Sequence, residues 1–454
     1  MELFGTAGIR GPVTDVPPER ALAVGRAVGR DCARVVVGRD GRVTGPALAA
    51  AVEAGAESAG ADVARLGQVP TPALAFAAAR DGCHGVMLTA SHNPPSDNGI
   101  KQFAEGVEYD GEAERAVEER VAAGDGPAEW RQWGIGRDRP VLDAYRDAVA
   151  EYARGHGASL DGLTVVVDCG TGMAARATPQ VLQRLDATVK AINANVDGHF
   201  SARESKPTAE SLADLRAFVA EDPAADVAIG HDGDADRIVV LDSDGEVVHE
   251  DTIVAILAEH YVRASDAGDP VVVTTPNASG RIDERVTAAG GRVERVALGV
   301  LHEGIAAVRA EGGEDTAVAF AAEPWKHIHP AFGGWIDGVA SAAVLARLVA
   351  DEGLATLREP IAERPYRKES VRCPDDAKTD VMGRLETALP ERFPEADVSL
   401  DHGVRVAFDD GAWTLVRPSG TEPYVRVYAE SEAVDELTEA VRDAVERAVD
   451  AVTD

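Results

Sequence analysis

Short runs of β-branched residues alternate with alanine-rich stretches along most of this chain. Such runs occupy residues 35–38, 163–168, 227–230 and 271–274, and three of them lead into helical stretches. Continuous apolar strands between helices are typical of mostly parallel sheets that are covered on both faces. The sequence therefore predicts an α/β protein.

The C-terminal part of the chain has a different pattern. Polar or flexible stretches at residues 122–127, 134–139 and 359–375 interrupt the alternation. Beyond the last of these, residues 404–408 and 413–416 have the alternating character of half-buried strands, and the amphipathic stretch 431–452 predicts a closing helix. We therefore expect a smaller α+β unit at the C-terminus.

Length and composition limit the class of protein. The 454 residues are enough for several domains, and no apolar run is long enough to span a membrane. The N-terminal residues lack the basic and apolar regions of a signal peptide. Four widely separated cysteines indicate neither a zinc site nor a disulfide framework. These features predict a cytoplasmic protein.

The chain is strongly acidic, with a formal net charge of −33. Asp and Glu are spread along the sequence, and ample hydrophobic residues accompany them, which is not the pattern of a disordered chain. Spread acidity fits adaptation to a cytoplasm of high salt, where screening shortens electrostatic repulsion. An ordinary acidic mesophilic protein is the alternative. Either balance argues against nucleic-acid partners and anionic membranes.

One loop carries a serine in a stiff polar turn. It follows the buried strand predicted at residues 85–88 and contains Ser91 and His92, with Lys101 ten residues after the serine. Asn93, Pro94 and Pro95 stiffen the turn because each proline fixes φ and lacks a backbone donor. Loops at strand ends commonly carry catalytic groups. A plain surface turn is the alternative interpretation.

A second loop carries three alternating carboxylates. Asp232, Asp234 and Asp236 project to one side of an extended backbone, between apolar strands at 227–230 and 238–241. Convergent carboxylates repel one another unless a cation neutralises them, and all-oxygen ligands favour Mg²⁺ or Ca²⁺. The EF-hand pattern fails because Arg237 stands where its glycine is required. An acidic surface loop is the alternative.

A third segment combines groups that bind phosphate. Arg417, Ser419, Gly420 and Thr421 offer a guanidinium, two hydroxyls and a turn whose backbone N–H groups can form an anion nest. An ordinary turn is again the alternative. Near the N-terminus, glycines flank Arg10 and permit close backbone approach.

These three loops, with residues 4–11 and 37–40, resemble the α-D-phosphohexomutase family in order and spacing. The resemblance covers essentially the whole chain. It implies three related α/β domains with mixed, mostly parallel sheets and a smaller C-terminal α+β domain. The corresponding boundaries are residues 1–153, 154–249, 250–362 and 363–454. Residues 37–40 are expected to be mainly structural.

The resemblance also implies the role of each loop. Ser91 is expected to carry a phosphoryl group and, with the three aspartates, to bind one Mg²⁺ per chain. Lys101 is expected to be the general base, its pKa lowered by desolvation and a nearby cation, with His92 and Arg10 in support. Arg237 is expected beside the reacting phosphate. The other phosphate is assigned to Arg417, Ser419, Gly420 and Thr421.

The family's sugar-binding loop, Gly-Glu-x-Ser-Gly-His, is altered in this chain. Glu323 and His327 match, whereas Trp325 replaces the serine and Lys326 replaces the glycine. Trp325 is expected either to stack on a sugar or to pack structurally. Lys326 is expected either to donate to substrate or to be solvated. His327 is expected to contact sugar or phosphate.

The predicted activity is that of a phosphosugar mutase, an isomerase that moves a phosphoryl group between the 1 and 6 positions of glucose or mannose phosphate. A sugar bisphosphate would be both the intermediate and the activator of Ser91. The alternatives are a phosphoglucosamine mutase, a phosphopentomutase, or a phosphosugar-binding protein without turnover. The expected partner is a small phosphosugar, and the expected state is a monomer or homodimer.

Overall fold

A computed structural model describes residues 3–5, 8–419 and 422–453. The chain forms two compact units. The first contains the residues up to Ile253 together with Phe320–Leu357, and the second contains Val254–Ala319 and the residues from Arg358 onwards. The four domain boundaries expected from the sequence remain a prediction.

The first unit begins with a seven-stranded sheet in the order β1-β5-β4-β2-β3-β7, with β6 paired to β5. Its strands are β1 (Ile9–Pro12), β2 (Arg34–Arg39), β3 (Asp62–Gln68), β4 (His84–Leu88), β5 (Asp97–Ala104), β6 (Val107–Glu108) and β7 (Gly136–Asp138). The accompanying helices are α1 (Pro18–Asp31), α2 (Gly45–Ala59), α3 (Thr71–Asp81), α4 (Gly111–Ala123) and α5 (Leu142–Arg154).

This first sheet is mixed, and its register places two loops side by side. β2 pairs in parallel with β3 and β4, whereas β5 runs antiparallel to β1 and β4. Arg39 at the end of β2 lies opposite Leu88 at the end of β4. Because parallel strands end at the same edge, the segments that follow Arg39 and Leu88 leave the sheet together.

A second sheet in the first unit has the order β11-β10-β8-β9. Its elements are β8 (Thr164–Asp168), α6 (Thr178–Arg184), β9 (Thr188–Ile192), α7 (Ala213–Glu221), β10 (Val227–His231) and β11 (Ile238–Leu241). β8 is parallel to β9 and β10, but β10 and β11 form an antiparallel hairpin. The predicted acidic loop is the connection of this hairpin.

The third stretch of elements extends through both units. It comprises α8 (Glu250–Arg263), β12 (Asp269–Thr274), α9 (Gly280–Ala288), β13 (Arg292–Arg295), α10 (Leu301–Glu311), β14 (Thr316–Glu323), β15 (Lys326–Ile328), α11 (Gly338–Glu352) and α12 (Leu354–Arg358). β12 and β13 are parallel, and β14 and β15 form an antiparallel hairpin.

The C-terminal elements form an antiparallel sheet covered by two helices. They are β16 (Tyr366–Arg372), α13 (Lys378–Arg392), β17 (Asp397–Ser399), β18 (Val404–Ala407), β19 (Trp413–Pro418), β20 (Tyr424–Glu430) and α14 (Val434–Thr453). The strand order is β16-β20-β19-β18-β17. Val427 of β20 and Val441 of α14 belong to one buried cluster, so the apolar face of the helix packs on the sheet.

The predicted α/β class is therefore confirmed, as is the α+β character of the C-terminal region. The interior of the first sheet explains why the runs of β-branched residues predict its strands. Val35, Val37, Val86 and Leu88 are all buried, as strands covered on both faces require. Within the described residues, no helix is both long and apolar enough to cross a bilayer.

Candidate active site

Ser91 lies in the loop between β4 and β5, as the sequence predicts. Its φ is 49°, a left-handed conformation that costs a residue other than glycine about 1–2 kcal/mol. The residue is only 1% exposed, and its backbone N–H donates to Thr89 Oγ1 at 2.8 Å. Its hydroxyl donates to Asp232 Oδ2 at 2.7 Å. The serine loop and the acidic loop therefore meet at Ser91 Oγ.

Arg42 anchors the serine loop, although the sequence did not point to this role. Its guanidinium is fully buried and donates to four carbonyls of the loop. The acceptors are Ser91 O at 2.9 Å, Asn93 O at 2.7 Å, Pro94 O at 2.5 Å and Asp97 O at 2.9 Å. One buried charge thus holds the backbone from Ser91 to Asp97.

Asp40 completes this anchor. Its carboxylate accepts from Arg42 Nε at 3.0 Å and from Thr89 Oγ1 at 2.8 Å, so it links the end of β2 to the serine loop. Burial raises the pKa of Asp40 to about 6, and the neighbouring Arg42 opposes that rise. Asp40 belongs to the segment 37–40, for which a mainly structural role is expected from the sequence. For Arg42, the signal that could have identified it is its position just beyond β2, beside the end of β4.

The three aspartates of the acidic loop converge. Asp232, Asp234 and Asp236 are at most 1% exposed, and one carboxylate oxygen from each lies within 4.8 Å of the others. Thr71 Oγ1 donates to Asp234 Oδ2 at 2.6 Å. Among the described residues, Asp234 Oδ1 and Asp236 Oδ1 are buried and accept no hydrogen bond. Buried oxygens that lack donors fit a hard divalent cation such as Mg²⁺.

The charges around the three aspartates also favour a bound cation. Burial, followed by the charges of Asp236 and Asp234, raises the pKa of Asp232 well above its usual value. Burial also acts to raise the pKa of Asp236, but Lys101, Arg237 and Lys326 outweigh burial and hold that pKa below its usual value. The site therefore combines carboxylates that repel one another with several cations close by.

A close approach at Gly233 permits the two loops to meet. A Cβ at this position would lie 2.8 Å from Ser91 O and 2.6 Å from Ser205 Oγ. Ser205 itself donates to Ser91 O at 2.9 Å. Only glycine therefore allows the acidic loop to sit against the serine loop without displacement.

Lys101 projects from β5 towards the acidic loop. Its ammonium lies 2.7 Å from Glu108 Oε1 and 3.6 Å from Asp236 Oδ2. Burial acts to lower the pKa of Lys101, but Glu108, Asp236 and Asp234 outweigh burial, so the pKa is raised. The expected lowering of this pKa is therefore wrong for this arrangement. The reason is the number of carboxylates, including Glu108, that surround the ammonium.

His92, Arg10 and Arg237 also line the site. His92 Nδ1 lies 3.3 Å from Ser91 Oγ, and burial, followed by the charges of Arg237 and Arg10, lowers the pKa of this imidazole to about 3. His92 is therefore neutral at pH 7. Arg237 Nε lies 3.7 Å from Asp232 Oδ2 and 3.6 Å from Asp236 Oδ1. Burial lowers the pKa of Arg10, whose Nε is buried without a hydrogen bond to any described residue.

The predicted sugar loop is the tight turn between β14 and β15. Glu323 pairs with Lys326 across the hairpin, and Trp325 has a φ of 71°. The Trp325 carbonyl accepts from Ile238 N at 3.1 Å, and Lys326 bridges to Arg237, so the turn is bonded to the start of β11. The Trp325 ring packs against the buried cluster that contains Val239 and Leu241. This contact favours the structural interpretation of Trp325.

Lys326 lies on the site side of this turn. Its ammonium is 3.6 Å from Glu323 Oε2, and both side chains are 14% exposed. Its positive charge contributes to the low pKa values of Asp236 and His92. Lys326 is therefore electrostatically part of the cluster rather than a solvated surface residue.

His327, in contrast, points into the protein interior. It is 1% exposed, its Nδ1 lies 3.1 Å from Ser341 Oγ, and burial lowers its pKa to about 3. The expected contact of this ring with sugar or phosphate has no support in the arrangement. The cause is the two-residue side-chain period of β15, which turns His327 away from the face that carries Lys326.

The predicted phosphate loop lies in the second unit. Ser419 is 4% exposed, and its N–H donates to Tyr424 O at 2.9 Å. Arg417 Nη2 donates to the Tyr428 hydroxyl at 3.0 Å. Lys378 Nζ donates to Ser419 O at 2.6 Å and to Glu422 O at 2.7 Å, so it ties the two sides of the loop together. Gly420 and Thr421 lie outside the described residues.

Comparison with family models defines the class of protein. Models described as phosphoglucomutase/phosphomannomutase α/β/α domain I, α/β/α domain II and C-terminal domain match residues 1–127, 143–245 and 370–448. The protein is an intramolecular phosphotransferase, that is, an isomerase. The chain belongs to the phosphoglucomutase/phosphomannomutase family, within the α-D-phosphohexomutase superfamily.

Two relatives have the same overall identity but different names. The chain is 40% identical over 459 residues to a phosphopentomutase of Thermococcus kodakarensis, with 99% of each chain covered. It is also 40% identical over 467 residues to a probable phosphoglucosamine mutase of Methanopyrus kandleri, again with 99% of each covered. Overall identity therefore does not separate these two substrates.

Solved structures share the fold. A phosphoglucomutase/phosphomannomutase family protein from Burkholderia thailandensis matches with a TM-score of 0.85 and 25% identity, covering 100% of this chain and 98% of that one. An Aspergillus fumigatus N-acetylphosphoglucosamine mutase, solved in complex with GlcNAc-6P and magnesium, matches with a TM-score of 0.62 and 17% identity, covering 98% and 96%.

Proposed function

We propose that this protein is a Mg²⁺-dependent phosphosugar mutase that interconverts the 1-phosphate and the terminal phosphate of a sugar through a phosphorylated Ser91. The observation that carries the proposal is the hydrogen bond of Ser91 Oγ to Asp232 Oδ2 within the buried carboxylate trio. The relatives favour a pentose phosphate or glucosamine phosphate over the glucose or mannose phosphate expected from the sequence.

Mg²⁺ would be held by the three aspartates and Ser91. The donor set is all oxygen, and two of its buried oxygens lack hydrogen bonds among the described residues, which fits the cation. When bound, Mg²⁺ would offset the charge of about −1.5 to −2 on a phosphoserine and polarise its phosphoryl oxygens.

The chain's own groups would perform the transfer. The Ser91 Oγ–P bond breaks while a bond forms from phosphorus to a free sugar hydroxyl, and this gives a sugar bisphosphate. The other phosphoryl group then returns to Ser91, so that the serine ends as it began. Arg42 and Asp40 hold the serine loop still during both transfers, which makes Ser91 Oγ a fixed donor and acceptor.

The cations would stabilise the phosphoryl group in transit. Three cations surround the acidic loop, namely Arg10, Lys101 and Arg237. They would face the equatorial oxygens of the phosphoryl group that is being transferred. Lys101 acts here as a fixed positive charge, because a protonated ammonium cannot accept the proton of the sugar hydroxyl. Neutral His92 lies 3.3 Å from Ser91 Oγ, but its pKa of about 3 makes it a weak base. The proton released by the sugar hydroxyl is balanced by the proton that Ser91 Oγ takes up when it leaves phosphorus.

Arg417 and Ser419 would bind the phosphate that is not being transferred, and Gly420 and Thr421 are proposed to share that role. Their support is the family match over residues 370–448 and the donors held in place by Lys378 and Tyr428.

A panel of sugar phosphates tests the proposal. Ribose, glucosamine, glucose and mannose 1-phosphates would be supplied with Mg²⁺ and a trace of the matching bisphosphate. We expect turnover of at least one substrate, and loss of that turnover in Ser91→Ala with an unchanged circular dichroism spectrum. Wild-type turnover in Ser91→Ala would refute the phosphoserine mechanism.

A further inference from the structure

Lys326 introduces a positive charge beside the proposed sugar site. Its ammonium stands on the β14–β15 turn, 3.6 Å from Glu323 Oε2, and its backbone bridges to Arg237 of the acidic loop. Both ends of this contact are mostly buried, since each side chain is 14% exposed. The lysine is therefore held at the site by its turn and by its ion pair.

The ion pair between Glu323 and Lys326 changes the charge that the β14–β15 turn presents to a substrate. Glu323 alone would present a negative charge that attracts a sugar ammonium. With Lys326 beside it, the pair is formally neutral. The ammonium group adds to the cations at Arg10, Lys101 and Arg237, which face the carboxylates of the aspartate trio and Glu108. A neutral hydroxyl can still accept a hydrogen bond from Lys326 or donate one to Glu323.

We propose that Lys326 selects uncharged sugar phosphates, such as pentose phosphates, and disfavours amino-sugar phosphates whose ammonium group it repels. This inference rests on the proposed mutase function and narrows its substrate class. It also distinguishes the two activities that overall sequence identity leaves equal.

The size of the effect follows from Coulomb's law. Removing the Lys326 charge while Glu323 stays in place changes the energy of a sugar ammonium by one unit-charge interaction. At about 6–10 Å, in a medium of effective dielectric constant of about 20, this changes binding by roughly tenfold to a hundredfold. The same repulsion disappears when the amino group of the sugar loses its proton. The discrimination is therefore expected to weaken as the pH rises through the pKa of the sugar amine.

The experiment compares kcat/KM for ribose 1-phosphate and glucosamine 1-phosphate in the wild type, Lys326→Gln and Lys190→Gln. Lys190 is the matched control, since it is also ion-paired, with Asp222, but lies on β9 outside the site. We expect the wild type to favour ribose 1-phosphate. Lys326→Gln should raise the relative value for glucosamine 1-phosphate by roughly tenfold to a hundredfold, and Lys190→Gln should leave it unchanged.

The possible results distinguish a failure of the proposed selection by Lys326 from a failure of the proposed mutase function. A wild-type preference for glucosamine 1-phosphate, or an unchanged ratio in an active Lys326→Gln, overturns the selection by Lys326 and leaves the mutase intact. An equal shift in Lys190→Gln overturns it as well. Absence of turnover with every sugar phosphate in the wild type overturns the proposed function, and the selection with it.

Discussion

Replacing Arg42 by methionine should loosen the serine loop and lower turnover. The change keeps the apolar stem but removes a fully buried guanidinium that bonds four loop carbonyls and Asp40. Removing one partner of a buried ion pair costs about 3–5 kcal/mol. Each buried carbonyl that loses its donor adds about 1–3 kcal/mol, although these costs are not additive.

Two structural responses reduce the loss of stability in Arg42→Met. Asp40, whose pKa is already raised to about 6, can take up a proton when Arg42 is absent, and the exposed part of the loop can move to find water. We therefore expect a net loss of about 3–5 kcal/mol in the free energy of unfolding. A drop in kcat larger than any rise in KM should accompany this loss, because the loop carries the reacting oxygen.

Urea unfolding and steady-state kinetics measure both effects. Arg39→Met is the matched control, since Arg39 ends the same strand but its guanidinium donates, among the described residues, one long bond, at 3.4 Å to Asp40 O. Arg42→Lys should fall between the wild type and Arg42→Met, because it keeps the charge but not the fork of donors. A wild-type kcat in Arg42→Met, or an unfolding midpoint equal to that of Arg39→Met, would refute the anchoring role of Arg42.

Three further predictions follow from the site and its surroundings. Asp234→Asn should weaken Mg²⁺ binding, as measured by calorimetry, and should abolish turnover. EDTA should also abolish turnover of the wild type, and wild-type turnover that is indifferent to EDTA would contradict the metal assignment. Gly233→Ala should lower kcat at least tenfold, since its Cβ would lie 2.8 Å from Ser91 O; unchanged kinetics would show that the loops need not approach so closely. His327, with a pKa of about 3 when folded, should cost about 2 kcal/mol of stability as the pH falls from 7 to 5, because only the unfolded chain gains a proton. His327→Gln should remove that part of the slope, and an unchanged slope would contradict the buried neutral ring.

The loops that bear the chemistry were predictable because their signals are local. The serine turn, with its two prolines, and the three alternating aspartates each occupy a few consecutive residues. The strand periods around them are also local, so the sequence predicts that each loop leaves a strand end. The structure confirms those positions: β4 ends at Leu88, and β10 and β11 bracket the acidic loop.

The remaining features depend on contacts between distant residues. Arg42 contacts the serine loop 49–55 positions further along the chain, and no local pattern marks that contact. The pKa of Lys101 depends on Asp236, 135 positions away, as well as on nearby Glu108. The choice between sugar stacking and structural packing for Trp325 depends on its contact with the buried cluster around Val239, which is distant in the sequence. His327 could have been assigned to the interior from the alternation along β15.

The presence of phosphate on Ser91 tests the central claim most directly. The protein would be incubated with Mg²⁺ and a sugar bisphosphate, digested, and examined by mass spectrometry, with Ser91→Ala treated in parallel. We predict that the active wild type yields a phosphorylated peptide that contains Ser91. The Ser91→Ala variant should show no turnover. An active wild type with no phosphate on Ser91, or a Ser91→Ala variant with wild-type turnover, would contradict the account.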